Sequence, residues 1–217
     1  LLWLFLALWA LIKRRWWWLY PLIALMGFTR PGVLAFSLTL ALYGIWRWIN
    51  RQNDKLPARD VVHIVVAGLW AACVGFSWQL IAALVTADPG AYLSTELAWR
   101  RNWIPDAAAH FIPFEGFVQG AAFWFTQWGL GPVWGYFALA ALVIGFSAAL
   151  LLLPQAKKLG VEIRLWSASY VLYLLAVFFP QSSTFRLLLP ISPLVGALAV
   201  PRSTLWRCAV LVGGLAI

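Results

Sequence analysis

The chain has 217 residues, of which 64% are hydrophobic and 11% are charged. Soluble domains carry about 25% charged residues, so a water-soluble globular class is excluded unless several long helices lack a polar face. The formal net charge of +9 would suggest nucleic acid in a soluble protein. Here the cations sit in short loops between apolar runs, where basic residues report membrane topology and no nucleic-acid partner.

Apolar runs predict spans at about 1–12, 16–29, 31–49, 61–85, 132–153, 165–180, 187–200 and 204–217. The fold class expected is an all-α, polytopic transmembrane helical bundle of about eight spans. It forms one domain over 1–217, with an outer interfacial segment at 86–131. The terminal runs, LLWLFLALWALI and CAVLVGGLAI, fall short of the ~20 residues that cross a bilayer. The first has no basic n-region or cleavage site of a signal peptide. The sequence therefore reads as part of a longer membrane protein, truncated within its first and last spans.

Loops on one side hold Lys13, Arg14 and Arg15, then Arg47, Arg51, Lys55 and Arg59, then Lys157, Lys158 and Arg164, then Arg202 and Arg207. The other side holds Arg30, Arg100, Arg101 and Arg186. Twelve cations against four make the first side cytoplasmic under the positive-inside rule, with a mostly basic fringe there. The outer side has the mixed charge of a site, because Asp88, Glu96, Asp106 and Glu115 fall on it. Many of the 16 tryptophans flank charged clusters, among them Trp16, Trp17, Trp18, Trp46, Trp48, Trp99, Trp103 and Trp206, as interfacial belts do.

The first hairpin turns at Thr29-Arg30-Pro31. Its arm of about 14 residues reaches ~20 Å against a hydrocarbon core of ~30 Å. Arg30 is then either a guanidinium at membrane depth, a functional feature, or a snorkelling tip. Pro31 suits the first turn of the next helix.

In the segment 86–131, Asp88-Pro89 reads as a helix start and the helix runs to Asn102. Its acid lies early and its arginines late, as the helix dipole favours. Tyr92, Leu93, Leu97 and Trp99 supply an apolar side for the membrane surface. Glu96 and Arg100 stand at i, i+4, as either a surface ion pair or a carboxylate held near a substrate hydroxyl. PFEGFVQGAAFWFTQWG is a second interfacial stretch, and Gly129, Gly131 and Pro132 break the chain before the next span.

On this topology Arg30, Asp88, Glu96, Arg100, Arg101, Asp106, His110, Glu115, Gln119, Gln181, Ser182, Ser183, Thr184 and Arg186 gather at the outer face. Arginine forks and hydroxyl donors suit phosphate oxygens. The run QSSTFR therefore marks either a lipid-phosphate site or a polar loop capping two helices. No H-E-x-x-H, C-x-x-C or D-x-D spacing occurs, so no metal is expected. No glycine-rich nucleotide cradle occurs either, which argues against a cytosolic nucleotide-sugar or ATP as the direct substrate, and no cofactor is expected. Cys73 and Cys208 read as buried small hydrophobes.

The hairpin LYPLIALMGFTRPGVLAFSLTLALYGIWRW resembles the "T-R-P-x-G" hairpin of type C membrane glycosyltransferases, and FFPQSSTFRLLLPISPLVGALA resembles their "R-x-L-L-P-x-x-P" span. ELAWRRNW and PFEGFVQGAAFWF look like actinobacterial relatives of the GPI-anchor mannosyltransferase family. The resemblance covers roughly 17–201. It implies an enzyme of a bacterial plasma membrane that transfers a sugar, usually mannose, from a polyprenyl-phosphate carrier to a lipid, glycan or protein acceptor outside. By position it implies that Arg30 and Arg186 lie near the lipid phosphate, and the polar run adds Gln181, Ser182 and Ser183 as expected lipid-phosphate ligands. It places Arg100 and Arg101 where the outer segment faces the site, and the outer-face charge pattern adds Glu96, Asp106, His110 and Glu115 as expected donor or acceptor contacts. The family's catalytic aspartate lies in a first outer loop that precedes this sequence, so the resemblance assigns no base here. A non-catalytic membrane subunit binding lipid or a protein partner is the alternative, and a lipid-linked-sugar transporter is the third reading.

Overall fold

A computed structural model describes residues 1–29, 32–105, 110–181 and 184–215. Arg30, Pro31, Asp106, Ser182 and Ser183 lie outside the described residues, and so do the expectations placed on them. Among the described residues the fold is all-helical and contains no strand. In chain order the helices are α1 Leu2–Ile12, α2 Trp16–Thr29, α3 Val33–Ile49, α4 Ala58–Thr86, α5 Ala91–Arg101, α6 Glu115–Gln127 and α7 Pro132–Leu152. Then come α8 Pro154–Lys158, α9 Val161–Val177, α10 Thr184–Leu188, a 3₁₀ stretch Leu189–Val195, α11 Gly196–Ala199 and α12 Thr204–Leu215.

Two helices, α4 and α7, are long and apolar enough to cross a membrane. At 1.5 Å per residue they reach about 43 and 31 Å. Helices α1, α3 and the run Thr184–Ala199 are apolar but shorter. The expected span at 187–200 is three short pieces. Pro190 and Pro193 each lack the amide hydrogen that an α-helix interior requires, and a 3₁₀ stretch takes their place.

The core is built by α1, α2, α3, α4 and α9, with Leu8, Leu11, Leu19, Ile23, Phe36, Leu40, Ala71 and Trp166 buried. Helix α3 lies between α4 and α9, and α2 packs on α1 and α4. Gly32, at φ 120°, caps α3 in a conformation that favours glycine. A side chain there would also approach Tyr170. By contrast α7 packs mainly on α6, and Val133, Trp134, Phe137, Leu142, Ile144, Leu151 and Leu152 lie exposed. An exposed apolar surface of this kind marks a face that contacts a membrane or another protein.

The two ends of the bundle differ. At one end the α1–α2 and α3–α4 turns meet. Arg47 is 0% exposed and pairs with Asp54 through Nε at 3.2 Å and with Asp60 through Nη2 at 3.4 Å. Its Nη2 also donates to the Lys55 carbonyl at 2.8 Å, and Arg14 pairs with Asp54. The Trp16 indole donates to Asp60 Oδ1 at 2.9 Å. The Tyr20 hydroxyl bonds His63 Nδ1 at 2.9 Å. One member of the expected basic fringe is interior: Asp54 and Asp60 pair with Arg47, which is buried.

Cys73 and Cys208 are also corrected. Both are free and exposed, because the helix faces that carry them have no protein neighbour. Helix α5 begins at Ala91, not at the expected Asp88-Pro89. Asp88 Oδ1 accepts from the Gly90 amide at 2.8 Å in the turn before it.

Candidate functional site

The opposite end of the bundle holds a cavity of about 760 Å³. Its floor comes from Gly27 of α2, Val33 and Leu34 of α3 and Gly75, Phe76, Trp78 and Gln79 of α4. Tyr92, Glu96, Trp99 and Arg100 of α5 form a second wall, and Tyr170, Tyr173, Gln181 and Arg186 form a third. Four stretches far apart in sequence therefore share one concave, largely apolar surface with a few polar groups, the usual form of a ligand site.

Local contacts hold each wall. The Trp78 indole donates to the Gly27 carbonyl at 3.0 Å and ties α4 to the end of α2. On the third wall, Tyr170 donates to the Leu187 carbonyl at 2.8 Å and the Trp166 indole to the Pro190 carbonyl at 2.8 Å. Thr184 closes a turn on Gln181, accepting from its amide at 2.9 Å and donating to its carbonyl at 2.6 Å. That turn carries Gln181 and Arg186 to the cavity.

Helix α6 presses on the same corner through small residues. A Cβ on Gly116 would lie 2.7 Å from the Phe178 carbonyl oxygen, and one on Gly120 would lie 2.4 Å from Pro180 Cγ. The spacing of four puts both glycines on one face, where close backbone approach needs small residues. The Trp124 indole donates to the Pro180 carbonyl at 2.7 Å, and the Phe114 amide donates to the Ala176 carbonyl at 3.0 Å.

Arg100 is 5% exposed. Its Nη1 donates to Glu115 Oε2 at 2.9 Å, and Gln119 Nε2 donates to the other Glu115 oxygen at 3.0 Å. The i, i+4 spacing of Glu96 and Arg100 therefore does not decide the partner. Arg100 is held from α6, and Glu96 forms no ion pair among the described residues. Glu96 opens onto the cavity between Tyr92 and Tyr173. Desolvation by these walls holds its carboxyl above the ordinary carboxylate range. Burial, together with the Glu96 charge, pushes the Tyr92 hydroxyl up as well.

Of the residues singled out from sequence, Glu96, Arg100, Gln181 and Arg186 line the cavity, and Glu115 stands behind Arg100. Arg101 and His110 do not line it. One residue past Arg100, Arg101 is turned about 100° around the helix. His110 sits in an exposed loop. Gln79, Tyr92, Trp99 and Tyr173 were not anticipated as site residues. Gln79 carried a signal nonetheless, being a polar side chain inside an otherwise apolar run. Among the described residues no cluster of His, Cys, Asp and Glu has the arrangement to hold a metal ion.

No protein-family model, curated protein or solved structure matches this chain.

Proposed function

We infer that the chain is part of a membrane glycosyltransferase that moves a sugar, with mannose the expected one, from a polyprenyl-phosphate carrier to a hydroxyl acceptor. The carrying observation is the cavity that joins Glu96 and Arg100 to Gln181 and Arg186 beside an apolar floor. A lipid-linked phosphate has the same two-part chemistry. Its isoprenoid stem suits Val33, Leu34 and Phe76, and its phosphate oxygens suit two guanidinium groups. As the bond to the anomeric carbon breaks, charge grows on the phosphate. A preoriented arginine stabilises that charge more in the transition state than in the bound donor. Glu115 and Gln119 supply the orientation for Arg100.

On this reading the apolar helices form about eight spans of a bacterial plasma membrane. The Arg47–Asp60 end is cytoplasmic and the cavity faces outward. The loop cations divide as that orientation requires. The outward α7 surface meets lipid, and the exposed Trp17, Trp18 and Trp48 mark the inner interface.

The test is transfer by the full-length protein from polyprenyl-phosphate mannose labelled in the sugar. Membranes of a strain lacking the protein serve as the acceptor source. Labelled glycolipid or glycan is expected. No transfer, together with an unchanged glycolipid profile in the deletion strain, overturns the reading. Co-purification of a stoichiometric protein partner in that case would favour the non-catalytic subunit.

A further inference from the structure

We propose that the Arg47 end of the bundle docks the headgroups of anionic phospholipids, a lipid site separate from the cavity at the opposite end. This rests on the membrane reading above and not on its transfer chemistry. Three observations carry it.

The first is an unbalanced charge. Asp54 and Asp60 both pair with Arg47, and Asp54 also pairs with Arg14. Lys13, Arg15, Arg51, Lys55 and Arg59 are exposed and form no ion pair among the described residues. Glu162, a third acid on this side, is partly buried and pairs with none of them. Five cations at two neighbouring turns therefore face outward without an anion from the described protein.

The second is the tie that gathers them. Helix α1 ends with the Arg15 amide donating to the Ala10 carbonyl at 2.8 Å and the Arg14 amide to the Leu11 carbonyl at 3.0 Å. That ending puts Arg14 in the left-handed region, at φ 52°, where glycine is the usual residue. Arginine meets a steric cost there that glycine avoids. Its side chain reaches Asp54 of the α3–α4 turn, 40 residues away in sequence. The α1–α2 and α3–α4 turns are thereby held together, and their cations share one surface.

The third is an aromatic border. The Arg51 guanidinium carbon lies 4.1 Å from the centroid of the Trp48 ring. Trp17, Trp18 and Trp48 are exposed beside the cations. Indole rings settle at the headgroup level of a bilayer, and a guanidinium over one is held at that level by its attraction to the ring face. Phosphate oxygens then meet guanidinium and ammonium groups, and the glycerol region meets the rings. The interfacial level of the indoles favours lipid headgroups over an acidic protein. Topology counts loop cations wherever they stand, whereas a headgroup site needs them gathered and unpaired.

The experiment uses the full-length protein in micelles of an uncharged detergent at low ionic strength. It measures equilibrium binding of acyl-labelled phosphatidylglycerol, with acyl-labelled phosphatidylcholine as the zwitterionic reference. Each cation near an anionic surface is worth about fivefold in affinity. Wild type should therefore prefer phosphatidylglycerol by about a hundredfold, and Arg15→Gln, Arg51→Gln and Lys55→Gln combined should remove most of that preference. The same-side control, Lys157→Gln with Lys158→Gln, lies outside the two turns and should stay within about twofold of wild type. Binding of polyprenyl-phosphate mannose should be unchanged in the triple variant, because the cavity lies at the other end.

If wild type shows no preference, or the control pair loses as much as the triple variant, the docking site falls and the cations are a diffuse fringe. If soluble glycerol 3-phosphate displaces the labelled lipid at matched concentration, the site takes free phosphate and the proposal also falls. If the triple variant does not fold, Arg51→Gln alone decides: a loss of about fivefold supports the site, and unchanged binding overturns it. A wild type that prefers phosphatidylglycerol but transfers no sugar overturns the transferase reading and leaves this site standing.

Discussion

Arg100 of α5 donates to Glu115 of α6 at 2.9 Å across a gap of 15 residues in sequence. The pair ties α5 to α6 and fixes one cation in the cavity wall. Glu115→Ala removes the α6 anchor from a guanidinium that is 5% exposed. Hydrogen bonds to charged groups are worth about 1.5–3 kcal/mol, and Glu115 is partly open to solvent, so the lower part of that range is expected. A double-mutant cycle of Arg100→Met and Glu115→Ala, read by thermal unfolding in detergent, should give a coupling of about 1.5 kcal/mol. Donor binding should weaken in Glu115→Ala more than in Arg101→Ala, since Arg101 does not line the cavity.

Sequence alone located the long apolar helices to within a few residues, because length and composition decide them. The expected 61–85 and 132–153 correspond to α4 and α7. It placed Glu96, Arg100, Gln181 and Arg186 at one end for the same topological reason. The partner of Arg100 was hidden, since local spacing favoured Glu96 and the fold chose Glu115. Arg47 was misread as fringe because nothing local reveals that Asp54 and Asp60 close over it. Proline spacing at 190 and 193 was the one legible sign that the run 187–200 is not a continuous helix.

The Arg47 cluster should dominate stability at the other end. Removing one partner of a buried ion pair costs about 3–5 kcal/mol. Arg47→Ala is therefore expected to lower the unfolding midpoint more than Arg14→Ala. The Arg14 side chain is 42% exposed, and an ion pair of that kind contributes little. Asp60→Asn should fall between them, because it keeps an acceptor for the Trp16 indole. Chemical unfolding of the three variants in one detergent gives the ranking. Equal midpoints for Arg47→Ala and Arg14→Ala would contradict it.

Close helix approach at α6 and α7 makes a separate prediction. A Cβ at Gly135 would stand 2.2 Å from the Ala121 carbonyl oxygen, whereas one at Gly145 on the same helix meets nothing within 4 Å. Gly145→Ala should be neutral or slightly stabilising, since alanine is favoured over glycine in helices by about 1 kcal/mol. Gly135→Ala should destabilise by about 1–3 kcal/mol, the usual cost of overpacking. Thermal unfolding of the two variants side by side checks both signs.

Glu96 carries a pH dependence whose sign follows from its surroundings. Its carboxyl is held above the ordinary range by desolvation, so the folded state binds that proton more tightly than the unfolded chain. The contribution to stability is fully present below the ordinary glutamate range and is lost as pH rises through the raised folded value. Glu96→Gln keeps the shape and removes the titration. Wild type should therefore lose stability relative to Glu96→Gln as pH is raised through this window, and the two unfolding curves should run parallel above and below it. The effect is modest, because the carboxyl opens onto the cavity and not into closed protein. A ligand phosphate bound at Arg100 and Arg186 should raise the carboxyl further by like-charge repulsion. Saturation with a non-transferable polyprenyl phosphate should then move the window upward in wild type and leave Glu96→Gln unchanged. A window that stays in place under saturation would separate Glu96 from the phosphate site.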